Sequence, residues 1–469
     1  MPQRNPFMKQ RILFLLILAG ILFCMPSCND NEHAVSIRHI TTRTAPDNVL
    51  RIPVTVDFSA PCTFTVTYWE QGHRSRQLTT PPVTTGGATG EVTLKFLKGR
   101  TTYEFQVNVA GGTSSKVYSF TTQPVPIDVP AFTLAKDQLG GRLDGYVLQW
   151  EASDPGYVTF CDMQGNVVWY QQFPEAIRTA SYDLRTHTLQ LMTGFADEHN
   201  HYRLCAHIIR TDLDGNVLLN QTPSDRTVRY PHHDFRLLPD GNFIFVNNVV
   251  RTFDLSTIGG TAAQQVWGDG FTVLSPDGNV LKRWDCFAAI DPVADDAYLH
   301  TTRVADDLIH ANSVNQDVNG DFYMTFNRLS ELWKIDGRTG RVLYRVGPHG
   351  NVSMSAADMA SGLHSATPLA PDRVLCFDNG RKSGASRAII YEVNPTAMTA
   401  RATLSIRLPS DLSSTDRSNA QLLQDHSLMF FGSTQGRASV ITDLDGNLLW
   451  VLRRSGISYR SYYYPRSAF

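Results

Sequence analysis

Six times between residues 160 and 450 the chain runs an apolar strand into a short turn and out into a second apolar strand. Five copies carry a glycine in the turn: Phe160–Trp169, Arg210–Leu219, Leu274–Leu281, Lys334–Tyr344 and Thr442–Trp450, four of them with Gly-Asn. The sixth, degenerate, runs from Tyr391 to Ile406. Such a turn needs a residue that tolerates positive φ, and between alternating apolar runs it is a strong hairpin signal. Ahead of each hairpin stands another pair of strand-like runs: Gly145–Glu151, Ser181–Thr193, His232–Asn247, His310–Asn327, His364–Asp378 and Ser418–Gly432. Units of about four strands, recurring at intervals of 50–63 residues, predict a six-bladed β-propeller over residues 131–469. The alternative, generic hairpins in a sandwich, does not account for one order repeated six times. Uneven spacing predicts insertions at Thr252–Val266 and Ala288–Ala305, the second with room for a short helix.

Residues 36–123 predict a separate small all-β unit, with strands at Ile52–Phe58, Thr63–Tyr68, Glu91–Phe96, Thr102–Ala110 and Lys116–Thr122. The run from Lys98 to Tyr103, followed by FQVNVAGG and YSFTTQP, resembles the end of an immunoglobulin or fibronectin type III sandwich. Three prolines in residues 124–130 disfavour helix and interior strand, so that stretch reads as a linker. At the N-terminus, Arg4, Lys9 and Arg11 precede the apolar run Ile12–Phe23, and Ser27-Cys28 follows. The run is short for a membrane span. Residues 1–27 therefore predict a bacterial lipoprotein signal peptide. Cys28 is then lipidated at the head of a polar tether, residues 28–35, and the protein is exported and anchored in the cell envelope, periplasm-facing or at the cell surface. The formal net charge of −2 and pI near 6.7 argue against nucleic acid as a partner. The five cysteines after Cys28 are odd in number and include no CxxC pair, so neither a disulfide framework nor a sequence-local zinc site is predicted.

Three strand pairs begin with histidine: Pro231–Asn247 (PHHDFRLLPDGNFIFVN), Leu308–Arg328 (LIHANSVNQDVNGDFYMTFNR) and Leu363–Gly380 (LHSATPLAPDRVLCFDNG). One histidine alone is more often a satisfied core imidazole than a functional group. Three in register on the inner strands of a propeller predict convergence on the axis of His232 or His233, His310 and His364, with Arg328 near His310. Adjacent side chains of a strand point to opposite faces, so only one of His232 and His233 is expected there. Two chemistries compete for such a set. Three imidazoles suit a transition metal, but Arg328 and the lack of a carboxylate in the set argue against one. Arginine instead matches an oxyanion, and histidine serves as nucleophile, acid or base near neutral pH.

These residues resemble the bacterial arylsulfate sulfotransferase family. The resemblance is carried by IHANSV, Arg328, the ELWKIDGRTGRVLYRVG segment, and His364 followed by CFDNGRKSGASRAIIYEV. It covers most of the chain beyond the signal and is strongest over residues 230–393. Asp372-Arg373 stands where Asp-Gly is expected. The resemblance implies transfer of a sulfuryl group from an aryl sulfate to a histidine and then to a phenol, without a nucleotide donor or any cofactor. His364 is then the nucleophile, His310 and Arg328 hold the sulfuryl oxygens, and His232 is the third histidine, with His233 open in its place. Asn312 and Asn379 are expected to orient the site. Partners are small aryl sulfates and phenols, and the membrane is met through the lipid alone; a homodimer stays open. The aromatic tail around Tyr459–Pro465 reads either as a substrate wall or as a closing strand paired with the first blade. Two other functions remain: a non-catalytic propeller binding a glycan or protein, and a metal-dependent hydrolase or lyase on the same axis.

Overall fold

The computed structural model describes residues 34–195, 204–294, 307–423 and 426–469. The signal segment, Cys28 and residues 295–305 of the second expected insertion lie outside them. Among the described residues the fold is all-β, with short 3-10 turns and no α-helix. Where the sequence suggested a helix after residue 288, the described part, 289–294, has turns and no helix, and follows the 3-10 turn Cys286–Ala288.

From residue 132 onward the described residues form six antiparallel sheets in succession, each built of strands consecutive in the chain except where the two chain ends join the first and last sheets. Their hairpins form where expected, and for a visible reason. In the Asp162 turn the carboxylate accepts from the backbone N–H of Gln164 (3.0 Å) and Asn166 (2.9 Å), while Gly165 takes φ +88°. The same device recurs at Asp212 with Gly215 and at Asp443 with Gly446. The degenerate copy replaces it with Asn394, whose side-chain oxygen accepts from Thr396 and Ala397 N–H. Thr252–Val266 is not a free insertion. Phe243–Phe253 pairs with Gln264–Leu274 along its whole length, so the strands run out together as a ribbon.

Neighbouring sheets are locked by tryptophans on their outer strands. Trp169 Nε1 donates to Leu213 O of the second sheet at 2.9 Å, Trp284 to Gly340 O of the fourth at 2.8 Å, and Trp450 to Met163 O of the first at 3.0 Å. Each ring is buried, so its indole N–H reaches a carbonyl rather than water. The ends of the chain close the ring twice. Phe132–Asp137 pairs with Leu448–Arg454 as the fifth strand of the last sheet. Ser461–Pro465 pairs with Gly145–Trp150 and supplies the leading strand of the first. The tail is thus a closing strand, as one of its two readings held.

Ahead of these sheets, residues 37–121 form two antiparallel sheets around one core that includes Val54, Val66, Phe105 and Val107. They rest on the first and second of the later sheets. Lys95 pairs with Asp214 at 2.8 Å, Phe96 stacks on Tyr146 at 4.8 Å, and Arg51 reaches Asp214 O and Gln171.

Gly145 marks the closure. A Cβ there would lie 2.4 Å from Tyr464 O and 2.6 Å from the Tyr463 ring. Gly145→Val is therefore expected to destabilise by about 1–3 kcal/mol through overpacking. Gly86→Ala, in open space, serves as the control. Thermal unfolding of the two variants beside wild type measures the difference, and equal melting temperatures would remove Gly145 from the closure.

Candidate active site

The three histidine-led strands start with a break in regular pairing. The ladder slips between Pro231 and Phe235, between Ala311 and Ser313, and between His364 and Thr367. At these slips His233, His310 and Ser365 take φ of +59°, +58° and +56°. A non-glycine residue in this region costs about 1–2 kcal/mol, and it persists only where the surrounding sheet holds it. The slip re-aims side chains that a regular strand would send to alternate faces. It lets adjacent His232 and His233 touch, with Nδ1 atoms 2.6 Å apart.

His233, His310, Arg328, His364, Arg381 and Tyr459 line one cavity of about 960 Å³. His364 is buried at its wall. Its Nδ1 lies 2.6 Å from Asn379 Oδ1 and 3.3 Å from Gly362 O. The Asn379 amide cannot turn round, because its Nδ2 donates to Ser414 O (2.7 Å) and Arg417 O (3.2 Å). Two oxygens facing Nδ1 require a proton there. The neutral ring then carries its lone pair on Nε2. Asn327 Nδ2 lies 3.3 Å from the same nitrogen, well beyond the 2.6 Å of Asn379 Oδ1, which dominates the contact. Burial, then the charge of Arg460 and then His310, hold the His364 pKa well below the ordinary histidine value.

His310 and Arg328 are joined by a carboxylate. Asp307 Oδ2 lies 2.9 Å from His310 Nδ1 and 3.0 Å from Arg328 Nε. This corrects the expectation of a set without an acid. Nothing periodic distinguishes Asp307 in the sequence; it stands three residues before His310, ahead of the strand. Arg328 is part-exposed in the turn after Phe322–Phe326.

Of the adjacent pair, His233 lines the cavity and His232 is fully buried behind it. His232 Nε2 lies 3.1 Å from Asp269 Oδ1. Asp269 is fixed in turn by Asn248 Nδ2 (2.8 Å) and Ala311 N–H (3.0 Å). Asn312 does not line the cavity. Its Nδ2 donates to Leu363 O at 2.8 Å and its Oδ1 accepts from Thr325 Oγ1 at 2.6 Å, so it braces the strand that carries His364. Asn379 also lies behind the wall and acts on the ring of His364.

Arg381 has its Nε on Thr415 O at 3.1 Å, and its stem lies across Gly362. Burial lowers its pKa; Asp416 opposes this and the like charge of Arg328 adds to it. Tyr459, just before the closing strand, meets His233 and His364 edge-on. The tail therefore also supplies one residue of wall. Beneath lies a buried ionic cluster. Arg460 reaches Asp234 (3.2 Å) and Asn312 O (2.6 Å), and Arg236 reaches Asp234 (3.1 Å) and Tyr462 Oη (3.3 Å). Among the described residues no group of three or more His, Cys, Asp or Glu is arranged to hold a metal, and Cys62, Cys161, Cys286 and Cys376 are free thiols.

The set offers one neutral imidazole with a directed lone pair, a guanidinium held by a carboxylate, and two further imidazoles, within one cavity. The chain is similar in fold to a protein of unknown function from Bacteroides caccae, at 12% identity, over 69% of this chain and 99% of that one, with a TM-score of 0.43. It is likewise similar to the β-propeller domain of Cps50 (Swd1) from Myceliophteria thermophila, at 12% identity over 70% and 86%, TM-score 0.35. At those scores the likeness carries no argument about function. No curated protein matches the chain. The Arylsulfotransferase (ASST) family model matches residues 108–447, most of the length of the chain. With that match, the chain belongs to the arylsulfotransferase family.

Proposed function

We propose that this protein is an aryl sulfotransferase that carries the sulfuryl group on His364 between an aryl sulfate and a phenol. The observation that carries the reading is the pair of oxygens facing His364 Nδ1, which leaves Nε2 as the nucleophilic atom of a buried, neutral ring. In the first half-reaction the Nε2 lone pair attacks sulfur, the bond from sulfur to the aryl oxygen breaks, and the phenol leaves. In the second, an incoming phenol gives up its proton, its oxygen attacks sulfur, the N–S bond breaks, and the lone pair returns to Nε2. Arg328, oriented by Asp307, faces the negative charge spread over the sulfuryl oxygens. His310 or His233 gives a proton to the leaving phenol and later takes one from the acceptor. His232 and Asp269 stand behind His233 and set its tautomer, and Asn312 and Asn379 position His364. The reaction as written needs no cofactor.

We further read the six sheets as the blades of a six-bladed propeller spanning 131–469. The sheets before them form an immunoglobulin-like sandwich, 36–123, joined by a linker at 124–130. The slips at the starts of the leading strands suit this reading, since they turn side chains from several blades onto one axis. The N-terminal segment is proposed to be a lipoprotein signal, with Cys28 as the anchor to the cell envelope.

Three measurements test this. A burst assay with p-nitrophenyl sulfate after dialysis against a chelator is expected to give nitrophenolate and a covalent sulfuryl adduct with wild type. His364→Ala should abolish both, and turnover should require an added phenol. A wild type inactive with every donor and acceptor would move the protein to the class of binding modules. Activity lost to the chelator would move it to metal chemistry.

The pH dependence follows from burial. Because the folded protein disfavours charge on His364, the unfolded chain binds more protons below the ordinary pKa of 6.5. The contribution of this group to stability is complete above that value and is lost as pH falls below it. The His364 ring signals should therefore stay those of the neutral Nδ1–H tautomer from about pH 8 to about pH 5 in an NMR titration. A midpoint near the ordinary value would contradict the geometry.

Cys28→Ser is expected to move the expressed protein from the membrane fraction to the soluble one. Unchanged membrane retention of this variant would rule out the lipid anchor.

A further inference from the structure

The cavity is walled unevenly. The six sheets meet in chain order, and the last meets the first through Ser461–Pro465, so the second and fifth sheets face each other across the ring. His364 opens the fifth sheet. On its side of the cavity stand Arg328, Arg381 and Arg417, in loops of the fourth and fifth sheets and just before the sixth. On the other side, Phe195 follows Thr188–Thr193 of the second sheet, and Ile457 precedes the closing strand. Both line the cavity and both are exposed, by 49% and 42%. Among the described residues Phe195 is the one aromatic side chain left exposed.

The ring of Phe195 is positioned from behind. Gly194 before it takes φ +68°, and a Cβ there would lie 2.5 Å from Glu175 Oε2 and 2.9 Å from Ala206 Cβ. The Arg178 guanidinium lies over one face of the ring, 4.2 Å from its centroid. With half of the side chain still exposed, the other face is open to the cavity. Leaving an apolar ring in water is unfavourable, and aromatic and aliphatic walls beside a few placed polar groups are what a small-molecule site is built of.

The direction of transfer leads to the same wall. Two oxygens hold His364 Nδ1 at the fifth sheet, so Nε2 points away from that wall. In sulfuryl transfer, as in phosphoryl transfer, the attacking and leaving atoms stand roughly in line across the central atom. The aryl oxygen of a donor attacked by Nε2 therefore lies beyond sulfur, and its ring reaches from the fifth sheet toward the second. We infer that Phe195 is the platform on which the aryl rings of donor and acceptor stack, with Ile457 at its edge. The inference rests on the sulfotransfer reading above. An acceptor oxygen approaches sulfur along the line by which the donor phenol left, so one platform serves both half-reactions. The arginines of the facing side are left to the sulfuryl oxygens.

The probe is 2-naphthalenesulfonate, whose sulfur is bonded to carbon and cannot be transferred. Its binding to wild type, Phe195→Ala and Phe195→Tyr is measured by calorimetry, beside the p-nitrophenyl sulfate burst of the same proteins and of His364→Ala. Phe195→Ala is expected to bind about tenfold more weakly than wild type, because it loses one aromatic pair and the area that pair buries. Phe195→Tyr keeps the ring face and should stay within about twofold. In the burst the same loss should appear in the donor concentration needed for half-saturation rather than in the limiting rate. If Phe195→Ala binds the sulfonate as wild type does, the inference is wrong, and a burst that only His364→Ala lacks leaves sulfotransfer standing. If Phe195→Tyr loses as much as Phe195→Ala, the loss does not come from stacking and the assignment is overturned. A wild type that transfers but binds no sulfonate overturns it as well. A wild type that binds the sulfonate through Phe195 and gives no burst keeps the platform and ends the transfer reading. With neither binding nor burst, both fall.

Discussion

Everything at the cavity depends on the ring of sheets being closed. Ser461–Pro465 is the last strand of the chain and the leading strand of the first sheet. Arg460 sits immediately before it and reaches Asp234 of the third sheet and Asn312 O of the fourth. One peptide segment thus ties three sheets together beneath the cavity and carries Tyr459 into its wall. A closed ring has no free edge on its leading strands, and it holds residues far apart in the chain at fixed separations. The strained starts of the histidine strands persist because this frame over-determines them.

Within that frame the titratable side chains of the cavity are held by fixed partners, Asp307 within the wall and Asn379, His232 and Asp269 behind it. Asn379 acts on His364, Asp307 on both His310 and Arg328, and His232 with Asp269 on His233. Such outer contacts set which ring nitrogen carries a proton and which way a donor points. Asn379 shows the logic most plainly. Its amide is held by two backbone carbonyls from the segment before the sixth sheet, so the state of the histidine follows from the packing of a neighbouring loop.

The division of labour between the ends of the sheets is also physical. Away from the cavity, Asp162, Asp212 and Asp443 spend their carboxylates on their own turns. Lys334 is buried against Asp372 and Asp321. At the cavity, charged groups keep part of their bonding capacity, as Arg381 does, whose guanidinium among the described residues bonds through Nε to a backbone carbonyl.

The all-β character and the hairpins were legible in the sequence, because a turn and an alternating strand are decided by neighbours a few residues apart. The histidine-led starts were legible for the same reason, and so was the candidate set His310, Arg328 and His364. What the chain alone left open is what depends on contacts between sheets. Whether His232 or His233 meets the cavity was set by a slip in pairing that no local pattern announces. Asp307 became the partner of His310 and Arg328 only because a strand and the turn after the next strand come together around it. Asn312, one residue from the cavity strand's start, was turned inward by Leu363 of the next sheet. Tyr459 looked like any residue of an aromatic tail until the closing strand placed it between two histidines. Short-range geometry is written in the order of residues, whereas the choice among side-chain partners waits on which distant segments the closed ring brings within hydrogen-bond reach.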